Sequence, residues 1–134
     1  MDGYSGTPLA KKLGIRAGAS VLLLGSPAGF ERQIGALPEG VKLGKRAAGK
    51  GNLILLFAAS QADLSRRFPA ARRAMADRAS MWIAWQKQAS GVETDLREPH
   101  VRAFGLKAGL VDYKICSIDA TWSGLLFTER KKAK

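Results

Sequence analysis

The sequence predicts an α/β fold: a three-layer, Rossmann-like domain with a mostly parallel sheet and an antiparallel C-terminal hairpin. Apolar runs at residues 21–25, 53–60 and 81–85 each stop at small or polar residues that suit the start of a helix. Strands buried on both faces of a parallel sheet have this form, because they cannot alternate apolar with polar side chains. Two further strand-like segments, residues 111–118 and 122–128, are joined by a tight turn, which predicts a hairpin at the sheet edge.

The first two helices are predicted from a capping residue followed by proline. Thr7 and Ser26 each precede a proline, which is favoured at the first position of a helix. We therefore expect helices over residues 8–13 and 27–34, with the first strand over residues 21–24 between them.

The middle of the chain contains a glycine-rich basic segment between two apolar ones. A short strand over residues 41–43 precedes a loop over residues 44–51, and the next strand covers residues 53–58. Ser60 then caps a helix, with Asp63 in the capping-box position.

The apolar positions of that helix recur at helical spacing and predict its buried face. They are Leu64, Phe68, Ala71 and Met75. Pro69 lies within the helix and should kink it. In the following strand, Trp82 and Trp85 are an odd number of residues apart, so we expect them on opposite faces of the sheet.

The last helix begins at Thr94 or Glu98. Its apolar side is expected to consist of Val101, Phe104 and Leu106.

Composition predicts one folded domain over residues 1–134, with 46% hydrophobic and 25% charged residues. No apolar run approaches the ~20 residues of a membrane span. The first residues lack signal-peptide features and Cys116 is the only cysteine, so we expect a cytoplasmic protein. About residues 129–134 should form a flexible basic tail.

The charge is the strongest departure from an average composition: +11, with a pI of about 10.3. Such a surface attracts polyanions. The basic residues concentrate in the glycine-rich loop and along the predicted third helix, which includes Arg67, Arg72 and Arg78. One hypothesis is therefore a nucleic-acid accessory protein that binds through Lys42, Lys45, Arg46, Lys50, Arg66 and Arg73.

Residues 44–50 match seven positions of the phosphate-binding loop G-x-x-x-x-G-K-[ST]. Gly51 stands where the magnesium-binding hydroxyl should be, and the segment runs into a strand instead of opening a helix. We interpret it as a mobile basic loop.

The turn over residues 25–29 lies where a dinucleotide or methyl-donor site has its glycine-rich turn. It lacks the full G-x-G-x-x-G, and no acidic residue ends the second strand to hold a ribose hydroxyl. Lys42 and Lys45 are there instead and would suit a phosphate. A plain turn with a solvated loop explains the same residues.

The carboxyl edge of the predicted parallel sheet is the best candidate for a ligand site, because ligands bind there in open α/β folds. The candidate residues are Gly25, Ser26, Gly29, Ser60, Lys87, Ser90, Thr94 and Asp95. Helix capping also accounts for Ser26, Ser60 and Thr94. The favoured function is a non-enzymatic binding or interaction module that takes a small anionic ligand at this edge.

No catalytic residue or metal site is predicted. His100 is the sole histidine, so a multi-histidine metal site is excluded, and we expect this residue on a helix surface. No G-x-S-x-G sequence is present. Asp112 and Asp119 flank a strand and do not suggest an acid/base pair.

Several short strings extend over nearly the whole chain and together resemble a family of small bacterial proteins, domain of unknown function 3052. They are Ser5-Gly6-Thr7-Pro8-Leu9, Lys12-Leu13-Gly14, Trp82-Ile83-Ala84-Trp85 with Lys87, Ser90-Gly91-Val92 with Thr94-Asp95-Leu96, Gly105-Leu106, Gly109-Leu110-Val111-Asp112, Lys114 with Cys116, and Trp122-Ser123-Gly124-Leu125. Gln86 departs from the proline usual in that family. The resemblance implies a single unit and no established activity.

The order of a glycine turn, an apolar strand, a tryptophan-containing strand and a closing hairpin is also similar to a class I methyltransferase core with one crossover trimmed away. This similarity implies an alternative function: a degenerate methyltransferase-like enzyme with S-adenosylmethionine at residues 25–29. The incomplete glycine motif and the missing acidic residue depart from that pattern.

Overall fold

The structure, a computed structural model, describes residues 8–130 and contains one six-stranded sheet in the order β2-β1-β3-β4-β6-β5. The strands are β1 Ser20–Leu24, β2 Lys42–Gly44, β3 Gly51–Phe57, β4 Met75–Gln86, β5 Leu110–Ser117 and β6 Trp122–Glu129. The helices are α1 Leu9–Lys12, α2 Phe30–Ile34, α3 Gln61–Arg73 and α4 Glu98–Lys107, with a short 3₁₀ helix at Gln88–Ser90. Strands β1 to β4 are parallel, and β6 is antiparallel to both of its neighbours, β4 and β5. The predicted fold class is confirmed.

Each face of the sheet carries its own apolar core. Helices α3 and α4 cover the face that holds Trp85, and α1 and α2 cover the face that holds Trp82. The indole Nε1 of Trp82 donates to the Leu13 carbonyl at 3.0 Å, which ties the end of α1 to the sheet. The prediction of opposite faces for the two tryptophans is therefore confirmed. None of the described helices is long and apolar enough to cross a bilayer.

The turn after β1 differs from the predicted cap-then-proline start. Ser26 does not cap α2; Gly29 occupies the N-cap position with a φ of 80°, and the helix begins at Phe30. The Pro27 carbonyl accepts the Phe30 N–H at 3.2 Å, so the proline belongs to a turn before the helix. Helix α1 likewise begins at Leu9 with Pro8 at its N-cap position, so Pro8 is not the first helical residue as predicted. Thr7 lies outside the described residues.

The predicted start of α3 is confirmed, but its end is earlier than expected. The Ser60 hydroxyl accepts the Asp63 N–H at 3.0 Å. The helix ends at Arg73, so Met75 and Arg78 lie in β4. Met75 belongs to the sheet because it pairs with Gly51 of β3.

The C-terminal third needs three smaller corrections. Helix α4 begins at Glu98 and Thr94 does not cap it, while Leu106 is 39% exposed and lies outside the core. Strand β6 continues to Glu129, and the Arg130 N–H donates to the Gly109 carbonyl at 3.3 Å. Residues 129 and 130 are therefore not part of a flexible tail as predicted, and the rest of the predicted tail lies outside the described residues.

Candidate functional site

The strand order reverses at β1, which has β2 on one side and β3 on the other. A crevice outside the carboxyl ends of β1 and β3 is therefore the topological switch point, where open α/β sheets bind ligands. Gly25 follows β1 directly, with a φ of 70°. A Cβ at this position would lie 2.8 Å from the Phe57 carbonyl oxygen, so only glycine fits there without displacing the backbone.

A charged pair from α3 lies beside this glycine. The Arg67 guanidinium carbon would be 3.1 Å from a Cβ on Gly25. Arg67 Nε donates to Asp63 Oδ1 at 2.9 Å, Arg66 donates to the same oxygen, and Asp63 Oδ2 accepts the Ala59 N–H at 2.9 Å. Burial raises the pKa of Asp63, but the hydrogen bonds from Ala59 and both arginines outweigh it and hold that pKa below its ordinary value.

A second carboxylate lies at the end of β2. Glu31, in the first turn of α2, accepts a hydrogen bond from the Lys45 ammonium, with Nζ 3.0 Å from Oε2. Its own backbone N–H and Lys45 lower the pKa of Glu31, so the group is ionised at neutral pH. The side chain is 37% exposed, yet its Oε1 atom is shielded from solvent and has no hydrogen-bond partner among residues 8–130. That oxygen is an acceptor without a partner, where α2 contacts the residue that follows β2.

Groups of the protein itself accept two of the N–H groups in the first turn of α3. Asp95 Oδ1 accepts the Gln61 N–H at 2.8 Å, and Ser60 accepts the Asp63 N–H. The Thr94 hydroxyl donates to the Ala59 carbonyl at 2.7 Å and ties the loop before α4 to the end of β3. These polar side chains hold the edge together.

Lys87 and Ser90 bond away from the crevice. The Lys87 ammonium donates to the Ser117 hydroxyl at 2.6 Å, on β5, and the Ser90 hydroxyl donates to the Lys87 carbonyl at 2.6 Å. The structure therefore brings Gly25 and Ser60 to the ends of neighbouring strands and links Ser60 to Thr94 and Asp95 through the start of α3. It directs Lys87 toward the hairpin.

The nucleic-acid candidates do not form one surface. Arg66 is paired with Asp63, and Lys45 with Glu31, at the carboxyl edge. Lys42 begins β2 at the amino edge, where the Lys50 ammonium donates to the Arg73 carbonyl at 2.7 Å. Arg46 lies in the loop that connects the two edges. The six basic side chains therefore divide between opposite ends of the sheet.

The remaining ionisable candidates have structural partners. His100 is exposed, as predicted, and its Nδ1 accepts the Arg97 N–H at 3.0 Å at the start of α4. Asp112 pairs with Arg102 at 2.9 Å, whereas Asp119 accepts the backbone N–H groups of Thr121 and Trp122 in the hairpin turn. Asp112 and Asp119 therefore have separate structural partners and form no acid/base pair with each other.

Sequence reasoning missed Arg67 and Glu31 as site residues. The spacing of Asp63 and Arg67, four residues apart on a helix, is a visible signal for an ion pair. Nothing local marks Glu31, because its partner Lys45 lies beyond the next strand.

Comparison with known proteins supports the fold and no closer relationship. No family model and no curated protein matches the chain. Among solved structures, the chain resembles the pyocyanin biosynthetic protein PhzM with a TM-score of 0.67 and 13% identity over 91% of this chain. It spans only about half of that protein, 53%.

Two methyltransferases match over most of both chains. For a SAM-dependent methyltransferase from Aquifex aeolicus the TM-score is 0.58 at 15% identity, covering 90% of this chain and 87% of that one. For the N-methyltransferase NodS from Bradyrhizobium japonicum WM9, in complex with S-adenosyl-L-homocysteine, it is 0.60 at 11% identity, covering 95% and 90%. The chain has the fold of these methyltransferases. At this level of identity the similarity establishes architecture alone.

Proposed function

We propose that this protein binds S-adenosylmethionine in the crevice between the carboxyl ends of β1 and β3 and is a methyltransferase-type protein. The observation that carries the proposal is the Arg67–Asp63 pair beside Gly25, at the switch point of a methyltransferase fold. The methyltransferase hypothesis thus replaces the non-enzymatic anion-binding module as the favoured function. Ser60, Lys87 and Ser90 each use their side chain in a hydrogen bond within the chain. Arg67 uses only its Nε, for Asp63, and its two terminal nitrogens have no partner in the described chain.

The charged pair matches the amino-acid end of this cofactor. The methionyl group carries a carboxylate beside an ammonium, so it is complementary to a cation beside an anion. Arg67 would hold the carboxylate through its guanidinium, which can donate in a fork. Asp63 is ionised at neutral pH, because its pKa is lowered, and would attract the ammonium.

Glu31 matches the ribose. A ribose hydroxyl is a donor, and Oε1 of Glu31 is an acceptor without a partner in the described chain. Because Oε1 is shielded, the partly exposed carboxylate would have to rotate to present this oxygen to the ribose. A hydrogen bond there would satisfy an otherwise unpaired oxygen. Glu31 would thus take the role of the acidic residue that the end of β2 lacks, since Lys45 occupies that position and fixes Glu31 beside it.

The bound cofactor would supply a methyl group activated by a positively charged sulfur. The chain's own part is to bind and orient it. The turn over residues 25–29 contains two glycines instead of the three of the full motif. Gly25 is therefore the position at which the backbone would come closest to the cofactor.

Isothermal titration calorimetry with S-adenosylmethionine and S-adenosylhomocysteine tests the proposal. We expect saturable binding of at least one of them, and a Kd raised about ten-fold or more by Arg67→Gln and by Glu31→Gln. Arg46→Gln removes an arginine from a loop and should leave the Kd unchanged. Absence of binding to the folded wild-type chain, or equal affinity in all three variants, would overturn the proposal.

A further inference from the structure

A second group of cations surrounds a cavity at the opposite end of the sheet. The cavity has a volume of about 390 Å³. Its lining includes Ala19, just before β1, Asn52, the second residue of β3, and Ser80 of β4, which pairs with Leu53. This volume is within the range of small-molecule sites, roughly 300–1,000 Å³. Leu13 and Leu126 contribute apolar walls.

The charge around this cavity is positive and uncompensated. Arg16, Arg78 and Lys114 line it, and no aspartate or glutamate is among the described residues that do so. In the described part of the chain, the side chains of Arg16 and Arg78 have neither a hydrogen bond nor an ion pair. Lys114 Nζ makes one bond, to the Lys12 carbonyl at 3.3 Å.

Neutral donors complete the lining. Asn52 Oδ1 accepts the Ser20 N–H at 2.9 Å, so the amide NH₂ of Asn52 remains available as a donor. Ser80 and Tyr113 add hydroxyl groups, and the Tyr113 side chain is well exposed. The polar side chains of the cavity are thus mainly donors, which suits an anionic acceptor.

A bulge places Arg78 at this cavity. Between the pairs Gly51–Met75 and Leu53–Ser80, β3 advances by two residues while β4 advances by five. Arg78 lies in the extra segment with a φ of 65° and is the one non-glycine residue with positive φ in the described chain. That conformation is disfavoured for a long side chain, and strained residues concentrate at ligand sites. Bulges commonly redirect a side chain in this way.

We propose that this amino-edge cavity binds a small phosphorylated molecule, with its phosphate held by Arg16, Arg78 and Lys114. Guanidinium groups match the oxygens of a phosphate in a forked geometry. The leucine walls and the Tyr113 ring would contact the carbon skeleton. A nucleic acid fits less well, because these cations converge on a concave cavity and the other basic side chains divide between two edges. This site does not depend on the proposed function.

Calorimetric titration of the full chain with inorganic pyrophosphate, AMP and adenosine tests the site. With S-adenosylmethionine present at saturation to occupy the carboxyl edge, we expect pyrophosphate and AMP, but not adenosine, to bind with one-site stoichiometry. Arg16→Gln and Arg78→Gly should each weaken binding about ten-fold. Arg78→Gly is especially informative, because relief of the strained φ should raise the thermal midpoint while binding falls, so unfolding could not explain the loss. Arg78→Lys should restore part of the affinity.

Two controls separate this site from its alternatives. Arg46→Gln removes one positive charge outside the cavity and should not change the Kd for AMP, whereas equal weakening would mean diffuse attraction and overturn the proposal. A single-stranded oligonucleotide that binds more tightly than AMP, with a steep salt dependence, would assign the surface to nucleic acid instead. Failure of both phosphate probes to bind the wild-type chain would also overturn it. S-adenosylmethionine binding should persist in Arg78→Gly, so the two proposals can fail separately.

Discussion

The two edges of the sheet differ in whether their candidate binding side chains have partners within the chain. At the carboxyl edge, Asp63, Thr94 and Asp95 bond to the backbone of β3 and α3 and hold the loops in place. At the amino edge, Arg16 and Arg78 have no partner in the described chain, and Arg78 has a strained backbone. The edge expected to bind a ligand therefore also needs its polar groups for stability, while the cavity at the other edge is lined by two arginines without a partner in the described chain.

This difference leads to different expectations for substitutions. The polar residues of the carboxyl edge should contribute mainly to stability, and substituting them should lower the free energy of unfolding. Amino-edge cations should contribute little or even cost stability, because no folded-state partner compensates them. Stability measurements can therefore test the comparison independently of any ligand.

Gly25→Ala should have the largest effect. It adds a Cβ 2.8 Å from the Phe57 carbonyl oxygen at a φ of 70°. Strain and displacement of the β3 backbone should together cost about 3 kcal/mol of unfolding free energy. Gly49→Ala is the matched control, with a φ of 78° and nothing within 4 Å of the new Cβ, and should cost about 1 kcal/mol. Equal losses in urea denaturation would mean that the contact between β1 and β3 is unimportant.

Asp63→Asn should destabilise by about 1.5 kcal/mol, because hydrogen bonds to Arg67 and Ala59 N–H lose the carboxylate charge. The folded-state pKa of Asp63 lies below its ordinary value of 3.8, so its contribution is complete at neutral pH. It is lost as the pH falls from about 5 through the folded pKa. Urea midpoints measured between neutral and acidic pH should therefore differ between wild type and variant at pH 7 and converge in acid; a constant difference would contradict this.

The sequence predicted what depends on local pattern. The buried runs of β1, β3 and β4 follow from continuous apolar residues, and Ser60 capping follows from a residue three positions away. Contacts between residues distant in the sequence determine the features that were not predicted. Helical periodicity alone extends α3 to Met75, but pairing of Met75 with Gly51 ends the helix at Arg73.

The candidate site divides in the same way. Gly25 was predictable, because a glycine directly after an apolar strand indicates a tight turn. The direction of Lys87 was not, since Ser117, thirty residues later, determines it. The ion pair between Glu31 and Lys45 was not predictable either, because Lys45 follows β2 and is distant from Glu31 in the sequence. Side-chain direction at a sheet edge depends on neighbours that only the folded topology brings close.

Arg78→Gly should stabilise the chain by about 1 kcal/mol, because glycine adopts a positive φ without strain. Asp77→Gly is the matched control one position earlier in the same bulge, where φ is not positive. It should instead lose about 0.5 kcal/mol, since glycine has more freedom in the unfolded chain. Urea denaturation of both variants measures whether the free energy of unfolding rises or falls in each. Destabilisation by Arg78→Gly would contradict the prediction and show that the arginine side chain contributes to folding.

Lys87→Gln should have the smallest effect and tests the sequence-based hypothesis most directly. Lys87 bonds to Ser117 in an exposed position, so its loss should change stability by less than about 0.5 kcal/mol. Because the ammonium points toward the hairpin, binding of S-adenosylmethionine at the switch point and of AMP at the amino edge should both stay unchanged. Calorimetry on the variant checks this. A marked loss of AMP affinity would instead mean that an anion reaches the carboxyl edge beside Lys87, and the proposed division of roles between the two edges would be wrong.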